Sequence, residues 1–206
     1  MISGIILAAG ASTRMGRAKA ALPLGKTGET VVSRVVKTVL EGGVPSVVVV
    51  AGAHIDAVLA AMPVREARAR VIEHHGWEQG QLSSLLAGLT AIDNPLLEAA
   101  LVTLVDVPLV RPSTVAAVIE AWRRDRAPIV RPVDPSTSLR AGGPRHGHPV
   151  IFDRSVFDAL RSADPAIGAK AVFATYRSQI LDVEVKDPGA FEDIDTPEDY
   201  ERVLGS

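Results

Sequence analysis

The sequence predicts an α/β fold of three layers, with a mostly parallel central sheet flanked on both faces by helices. Three observations carry the prediction. Short Val- and Ile-rich runs alternate with helical patterns almost to the end of the chain, the signature of buried strands joined by helical crossovers. Hydrophobic residues make up 47% of the 206 residues and aromatics only 4%, so the core must be built from Ala, Val, Leu and Ile. The opening strand also feeds directly into a loop of small residues, Ala8-Ala9-Gly10-Ala11-Ser12, and open α/β sheets bind ligands at that edge.

The elements follow in order. Residues 3–8 form the first strand, and Thr30 to Glu41 the first helix, which Gly42-Gly43 ends. The run Ser46 to Ala51 is a second strand and His54 to Ala61 a second helix. Arg70 to Glu73 is a short strand, and Leu82 to Ile92 an amphipathic helix. Ala100 to Val105 is the fourth strand, followed by a helix over Pro112 to Arg123 that opens on proline. Strands are predicted at Pro128 to Pro132, Pro149 to Phe152 and Ile180 to Val185, with helices at Ser155 to Leu160 and Pro165 to Thr175. The last helix is Pro197 to Leu204, where Thr196 supplies a capping hydroxyl, Pro197 the first helical position and Glu198-Asp199 acids in the first turn. Pro135 to Gly147 lacks periodicity and reads as a mobile loop or hairpin tip, a flexible stretch at about 134–147 within one domain spanning 1–206. An active-site lid and an ordinary surface loop both fit it.

Composition excludes several classes of function. A formal net charge of −2 argues against a broad basic face for nucleic acid. Absence of cysteine removes disulfides, thiolate catalysis and Cys-ligated zinc, and fits a cytoplasmic protein. No apolar run approaches the ~20 residues of a membrane helix, and the first residues lack the charged region and cleavage site of a secretory leader.

The loop after the first strand carries most of the functional signal. Leu7, Ala8, Ala9 and Gly10 let backbone N–H groups approach a bound group closely. Ser12, Gly16, Arg14 and Lys19 add a hydroxyl, a flexible turn and two cations. This reads as a phosphate cradle. It is not a P-loop: Gly25-Lys26-Thr27 supplies that motif's tail, but Ala20 stands where its first glycine belongs, and the proline-broken Leu22-Pro23-Leu24 predicts no strand before it. Nor is it a dinucleotide fingerprint, since Ser12 holds the second glycine position.

Other candidates lie further along. Asp106 ends the buried strand Leu101 to Val105, where a carboxylate is costly without a cation or donors to meet it. Mg²⁺, which takes one or two carboxylates plus phosphate oxygens, is one solution, and capping of the turn before Pro108 is the other. Asp195, before Thr196-Pro197, is a second metal ligand or a residue that starts a helix, with Asp193 as its neighbour. Gly80, Ser83 and Ser84 open the helix after Trp77. The hydroxyls of Ser83 and Ser84 either meet a nucleobase edge or cap the helix, and Trp77 reads as packing. His146 and His148 lack the further ligands zinc requires, leaving a donor to phosphate or to a pterin-like ring, or a satisfied turn residue.

Together, Leu7-Ala8-Ala9-Gly10-Ala11-Ser12-Thr13-Arg14-Met15-Gly16-Arg17-Ala18-Lys19 resembles the signature of nucleotidyltransferases with a GT-A-like Rossmann fold. The molybdenum cofactor nucleotidyltransferases are the most similar branch. Trp77 to Leu85, Gly147 to Phe152 and Asp193 to Asp199 are similar to motifs of its cytidylyltransferase members. The resemblance covers nearly the whole chain. It implies Mg²⁺-dependent transfer of a nucleoside monophosphate from an NTP, with CTP favoured, to the phosphate of molybdopterin, releasing pyrophosphate. It implies that Leu7 to Gly16 and Lys19 hold the triphosphate, with Gly80, Ser83 and Ser84 at the base or ribose. Arg14 and Lys19 would neutralise developing charge, Asp106 and Asp195 would hold Mg²⁺, and His148 would lie near the acceptor. A molybdoenzyme or cofactor chaperone would be a transient partner. A guanylyltransferase of the same pathway, a cytidylyltransferase of a sugar or polyol phosphate, and a non-enzymatic nucleotide-binding module are the alternatives.

Overall fold

A computed structural model describes residues 1–25, 28–63, 66–137 and 143–204. Positions 26 and 27 of the P-loop-like tail, and 138–142 of the long loop, lie outside the described residues. The strands of the main sheet are β1 (Ile2–Ala8), β4 (Val47–Ala51), β5 (Ala69–Glu73), β6 (Ala99–Leu104), β7 (Ile129–Val133), β8 (Val150–Asp153) and β9 (Ile180–Glu184). Two further strands, β2 (Pro23–Leu24) and β3 (Glu29–Thr30), pair antiparallel in a small separate ribbon. A two-residue strand thus precedes Gly25, where the proline had suggested none. Pro23 is accommodated at the first position of an edge strand, where no ladder N–H is needed.

The helices are α1 (Val31–Glu41), α2 (Ile55–Ala61), α3 (Gln81–Ile92), α4 (Pro112–Asp125), α5 (Phe157–Arg161), α6 (Lys170–Thr175) and α7 (Pro197–Leu204). The helix expected from Pro165 is shorter than predicted: Gly168, at φ +71°, turns the chain before α6 can start. Thr30 is the cap of α1 rather than its first residue, its hydroxyl accepting from the Ser33 amide at 3.2 Å.

The strand order is β5-β4-β1-β6-β8-β7-β9. All neighbours are parallel except around β8, which runs against both β6 and β7. Alternation along each strand divides the core into two layers. Ile6, Ala8, Val47 and Val49 face α1 and α4, whereas Ile5, Leu7, Val48 and Val50 face α3, α5 and α6. Both faces are therefore apolar, as a helix-covered parallel sheet requires.

Two consequences position the site. First, β1 is flanked by β4 and by β6, so the chain order reverses at β1 and a crevice opens beyond its carboxyl end. Second, the reversal of β8 starts that strand beside the carboxyl end of β6, pairing Val102 with Val150. His148 is thereby delivered to the edge that also carries the loop after β1.

Candidate active site

The loop leaving β1 is a compact turn. Ser12 adopts a left-handed conformation at φ +50°, and its carbonyl accepts from the amides of Met15 and Gly16. Its hydroxyl accepts from the Lys19 amide at 3.3 Å. His54, just before α2, touches the Ala11 carbonyl through Nε2 at 2.9 Å and ties the loop to the end of β4. Gly52 lies so close that a Cβ there would stand 2.7 Å from both the Ala9 carbonyl and Trp77 Cβ. Only glycine permits this packing of loop, strand and Trp77.

Opposite this loop, Asp106 emerges two residues beyond β6. The Asp106 carbonyl accepts from the Ile194 amide at 2.8 Å, which brings the segment 193–195 alongside. Lys19 spans the two carboxylates: its ammonium lies 2.7 Å from Asp195 Oδ1 and 3.4 Å from Asp106 Oδ2. Arg14 takes the other Asp195 oxygen at 2.8 Å. The hydrogen bond from Lys19, followed by the charges of Lys19 and Arg14, holds Asp195 below the ordinary carboxylate value. Burial, then the charges of Asp106 and Asp195, push neighbouring Asp193 upward.

Between these elements opens a cavity of about 400 Å³. Leu7, Ala8, Ala9, Gly10, Ser12, Arg14 and Lys19 line it, as do Gly80, Ser84, Asp106 and Asp195. Ser83 and Gly16 do not. The Ser83 hydroxyl is turned to the Gly80 carbonyl at 2.8 Å, the Gly76 carbonyl and His74 Nε2, so it braces the start of α3. Gly16, at φ +70°, closes the turn from behind. His148 lies instead in an adjoining cavity of about 450 Å³, which shares Leu7, Gln81 and Leu104 with the first. Its Nδ1 is shielded and unpartnered among the described residues, and burial pushes its pKa below the ordinary histidine value.

The arrangement fits a divalent cation. Asp106 Oδ1 is buried with no partner among the described residues, an orphan that bound metal would satisfy. No group of three or more metal-ligating side chains occurs among the described residues. A two-carboxylate site completed by phosphate oxygens suits Mg²⁺, which keeps few protein ligands.

Sequence reasoning passed over His54, Gln81 and the cavity-lining role of Trp77. Gln81 stands inside the motif that begins at Trp77, so its place was readable. His54 follows an ordinary Val-rich strand and carries no local signal.

The family described as the MobA-like NTP transferase domain matches residues 4–180. Over 206 residues, 98% of this chain and 96% of the relative, the sequence is 32% identical to a nicotine blue oxidoreductase of Paenarthrobacter nicotinovorans. It is 30% identical over 168 residues, 82% of this chain and 81% of the relative, to a protein of Mycolicibacterium paratuberculosis described as a probable molybdenum cofactor guanylyltransferase. Among solved structures, a Mycobacterium tuberculosis protein described as a complex with manganese is 27% identical, with TM-score 0.73, covering 100% of this chain and 98% of that one. A nucleotidyl transferase from Methanothermobacter shares the fold at TM-score 0.78 and 24% identity, over 100% of this chain and 96% of that one.

Proposed function

The chain belongs to the MobA-like NTP transferase family and is a nucleotidyltransferase, and on that premise we propose that it moves CMP from CTP to the phosphate of molybdenum cofactor. One observation carries this reading: Lys19 and Arg14 meet Asp106 and Asp195 across a cavity walled by the small-residue loop. A triphosphate in that cavity places its chain on the loop amides, with its base and ribose toward Gly80 and Ser84. The likeness of Trp77–Leu85 to the cytidylyl branch supports cytosine. Relatives described as guanylyltransferases make GTP the first competitor. One relative bears an oxidoreductase name; the Lys19–Asp106–Asp195 set supports nucleotidyl transfer here.

An acceptor phosphate oxygen attacks the α-phosphorus, a new P–O bond forms, and the bond to pyrophosphate breaks with its electron pair leaving on pyrophosphate. The acceptor is anionic at neutral pH, so no strong base is needed. Mg²⁺ held by Asp106 and Asp195 would neutralise phosphate charge. Arg14 and Lys19 supply fixed positive charge where the transition state gathers negative charge. The acceptor sits in the second cavity beside His148, whose neutral imidazole can donate or accept a hydrogen bond without adding charge.

Two measurements test the reading. In thermal shift with Mg²⁺, CTP should stabilise the protein more than GTP, ATP or UTP, by about 2.7 kcal/mol at a hundredfold excess over Kd. Stabilisation by GTP and not CTP would overturn the donor. Pyrophosphate release with molybdenum cofactor should be abolished in Asp106→Ala while the far-UV spectrum stays unchanged. An active Asp106→Ala variant would remove the metal site.

A further inference from the structure

The second cavity, where the reading above seats the acceptor, carries side chains to which no role has yet been given. Its walls are apolar, formed chiefly by Leu82, Leu85, Phe152 and Phe173. Its polar lining is basic or neutral, including Arg131, His146 and Lys170, and among the described residues no carboxylate lines it. Such a space suits a ligand that is largely hydrocarbon-like in its faces and electron-rich at an edge.

Arg131 is the ordered member of that set. It lies on β7 directly opposite Asp182 of β9 in parallel register, so both side chains project from one face of the sheet. Its Nε donates to Asp182 Oδ1 at 2.7 Å, and Nη2 lies 2.8 Å from His146 Nε2. His146 is itself fixed by a bridge to Val133 and lies 3.3 Å from Asp182 Oδ2. The guanidinium carbon lies 5.7 Å from the centroid of the Phe173 ring. Among the described residues, Nη1 has no hydrogen-bond partner. A guanidinium pinned on three sides loses little freedom when its remaining edge binds something.

The charge balance narrows the ligand. Asp182 already neutralises Arg131, so this corner offers directed donors rather than surplus positive charge. Such a group favours a ring carbonyl over a phosphate. The cavity also crosses the sheet from β1 through β6 and β8 to β7, and three strand spacings place Arg131 about 14 Å from the shared rim at Leu7. A ligand can therefore rest one end on Arg131 and bring the other to the triphosphate.

We propose that the second cavity seats a planar heterocycle and that Arg131, held by Asp182, His146 and Phe173, selects it by donating to a carbonyl on the ring edge. The proposal rests on the acceptor reading given above and names the residue that reads the acceptor. Asp182 and His146 are positioning residues.

The test is direct binding to the full chain without nucleotide. Fluorescence titration uses 6-hydroxymethylpterin, which has a lactam carbonyl, and 2,4-diamino-6-hydroxymethylpteridine, which carries an amino group there. The pterin should bind the wild type at least tenfold more tightly than the diamino compound. Arg131→Ala should weaken the pterin at least tenfold and leave the diamino compound unchanged, because a donor facing a donor gains nothing from the arginine. Asp182→Asn should give an intermediate loss. Arg131→Gln, which keeps a donor and much of the volume, serves if Arg131→Ala does not fold. Equal binding of both compounds by the wild type, no pterin binding, or an unchanged pterin affinity in a folded Arg131 variant would each overturn the proposal. Arginine-dependent pterin binding in a protein that releases no pyrophosphate from any NTP would leave this inference standing and defeat the transfer reading alone.

Discussion

Lys19 holds two carboxylates of the site at once, at 2.7 and 3.4 Å, from a side chain only 14% exposed. A cation so placed acts on charge that develops beside it more than on the affinity of a free ligand. Lys19→Ala is expected to slow transfer by about 10²–10³, the scale for removing one preorganised donor, while lowering triphosphate affinity less than about tenfold. Single-turnover rates at saturating nucleotide check this, and equal losses in rate and affinity would contradict it. His148 gives a prediction about pH. Its folded pKa lies below the model-peptide value of 6.5 because of burial. As pH falls through 6.5 the unfolded chain takes up a proton there and the folded chain does not, so stability declines until the folded value is passed. Urea midpoints from pH 8 to 5 should show that decline in the wild type and a flatter profile in His148→Gln. At this scale the sequence was uneven. Leu7 to Gly10, Arg14, Lys19 and Asp106, expected from a strand end or a small-residue loop, and Asp195, expected from the start of a helix, line one cavity. Arg131 was not legible, because nothing near it in the chain marks it and its partner Asp182 lies 51 positions on.

At the scale of elements, α7 is started by a reciprocal cap. Thr196 Oγ1 accepts from the Asp199 amide at 3.2 Å, and Asp199 Oδ2 accepts from the Thr196 amide at 3.0 Å and the Asp195 amide at 3.2 Å. The Thr-Pro-Glu-Asp pattern carries the Thr196 half of this cap; the return bonds from Asp199 go beyond what it predicts. Thr196→Ala should cost about 1 kcal/mol in denaturant unfolding and weaken Mg²⁺-dependent nucleotide binding, since the same cap steadies Asp195. An unchanged nucleotide affinity would separate the cap from the site. Thr114 and the amide of Arg111 meet buried Asp187, so α4 borrows a carboxylate 76 residues away because Arg111 cannot cap it. That borrowing left no local trace. The direction of β8 was also missed, although the absence of any helical pattern between Val133 and Pro149 was a usable clue: parallel neighbours need a crossover, and antiparallel ones do not.

For the whole molecule, the apolar runs and helical periods sufficed for the three layers and the mostly parallel sheet, because strands buried on both faces must be covered by helices, but not for the order of the strands within it. They did not suffice for the second cavity, which forms where four strands, α3 and α6 meet. The proposed site is assembled from remote segments, and its completeness can be tested by deletion. A chain ending at residue 196 should keep the far-UV signature of the sheet and lose the stabilisation by CTP and Mg²⁺, because α7 steadies the site from outside. Retention of that thermal shift would place α7 outside the binding unit.

The Tyr200 hydroxyl donates to the Pro23 carbonyl at 2.6 Å, and Arg17 lies over the tyrosine ring at 5.4 Å. This fastening spans 177 positions. During synthesis, the stretch around residues 10–23 leaves the ribosome early and waits, unlatched, until the segment around 195–200 has emerged. The strands of the sheet are therefore synthesised before the residues that fasten the loop after β1.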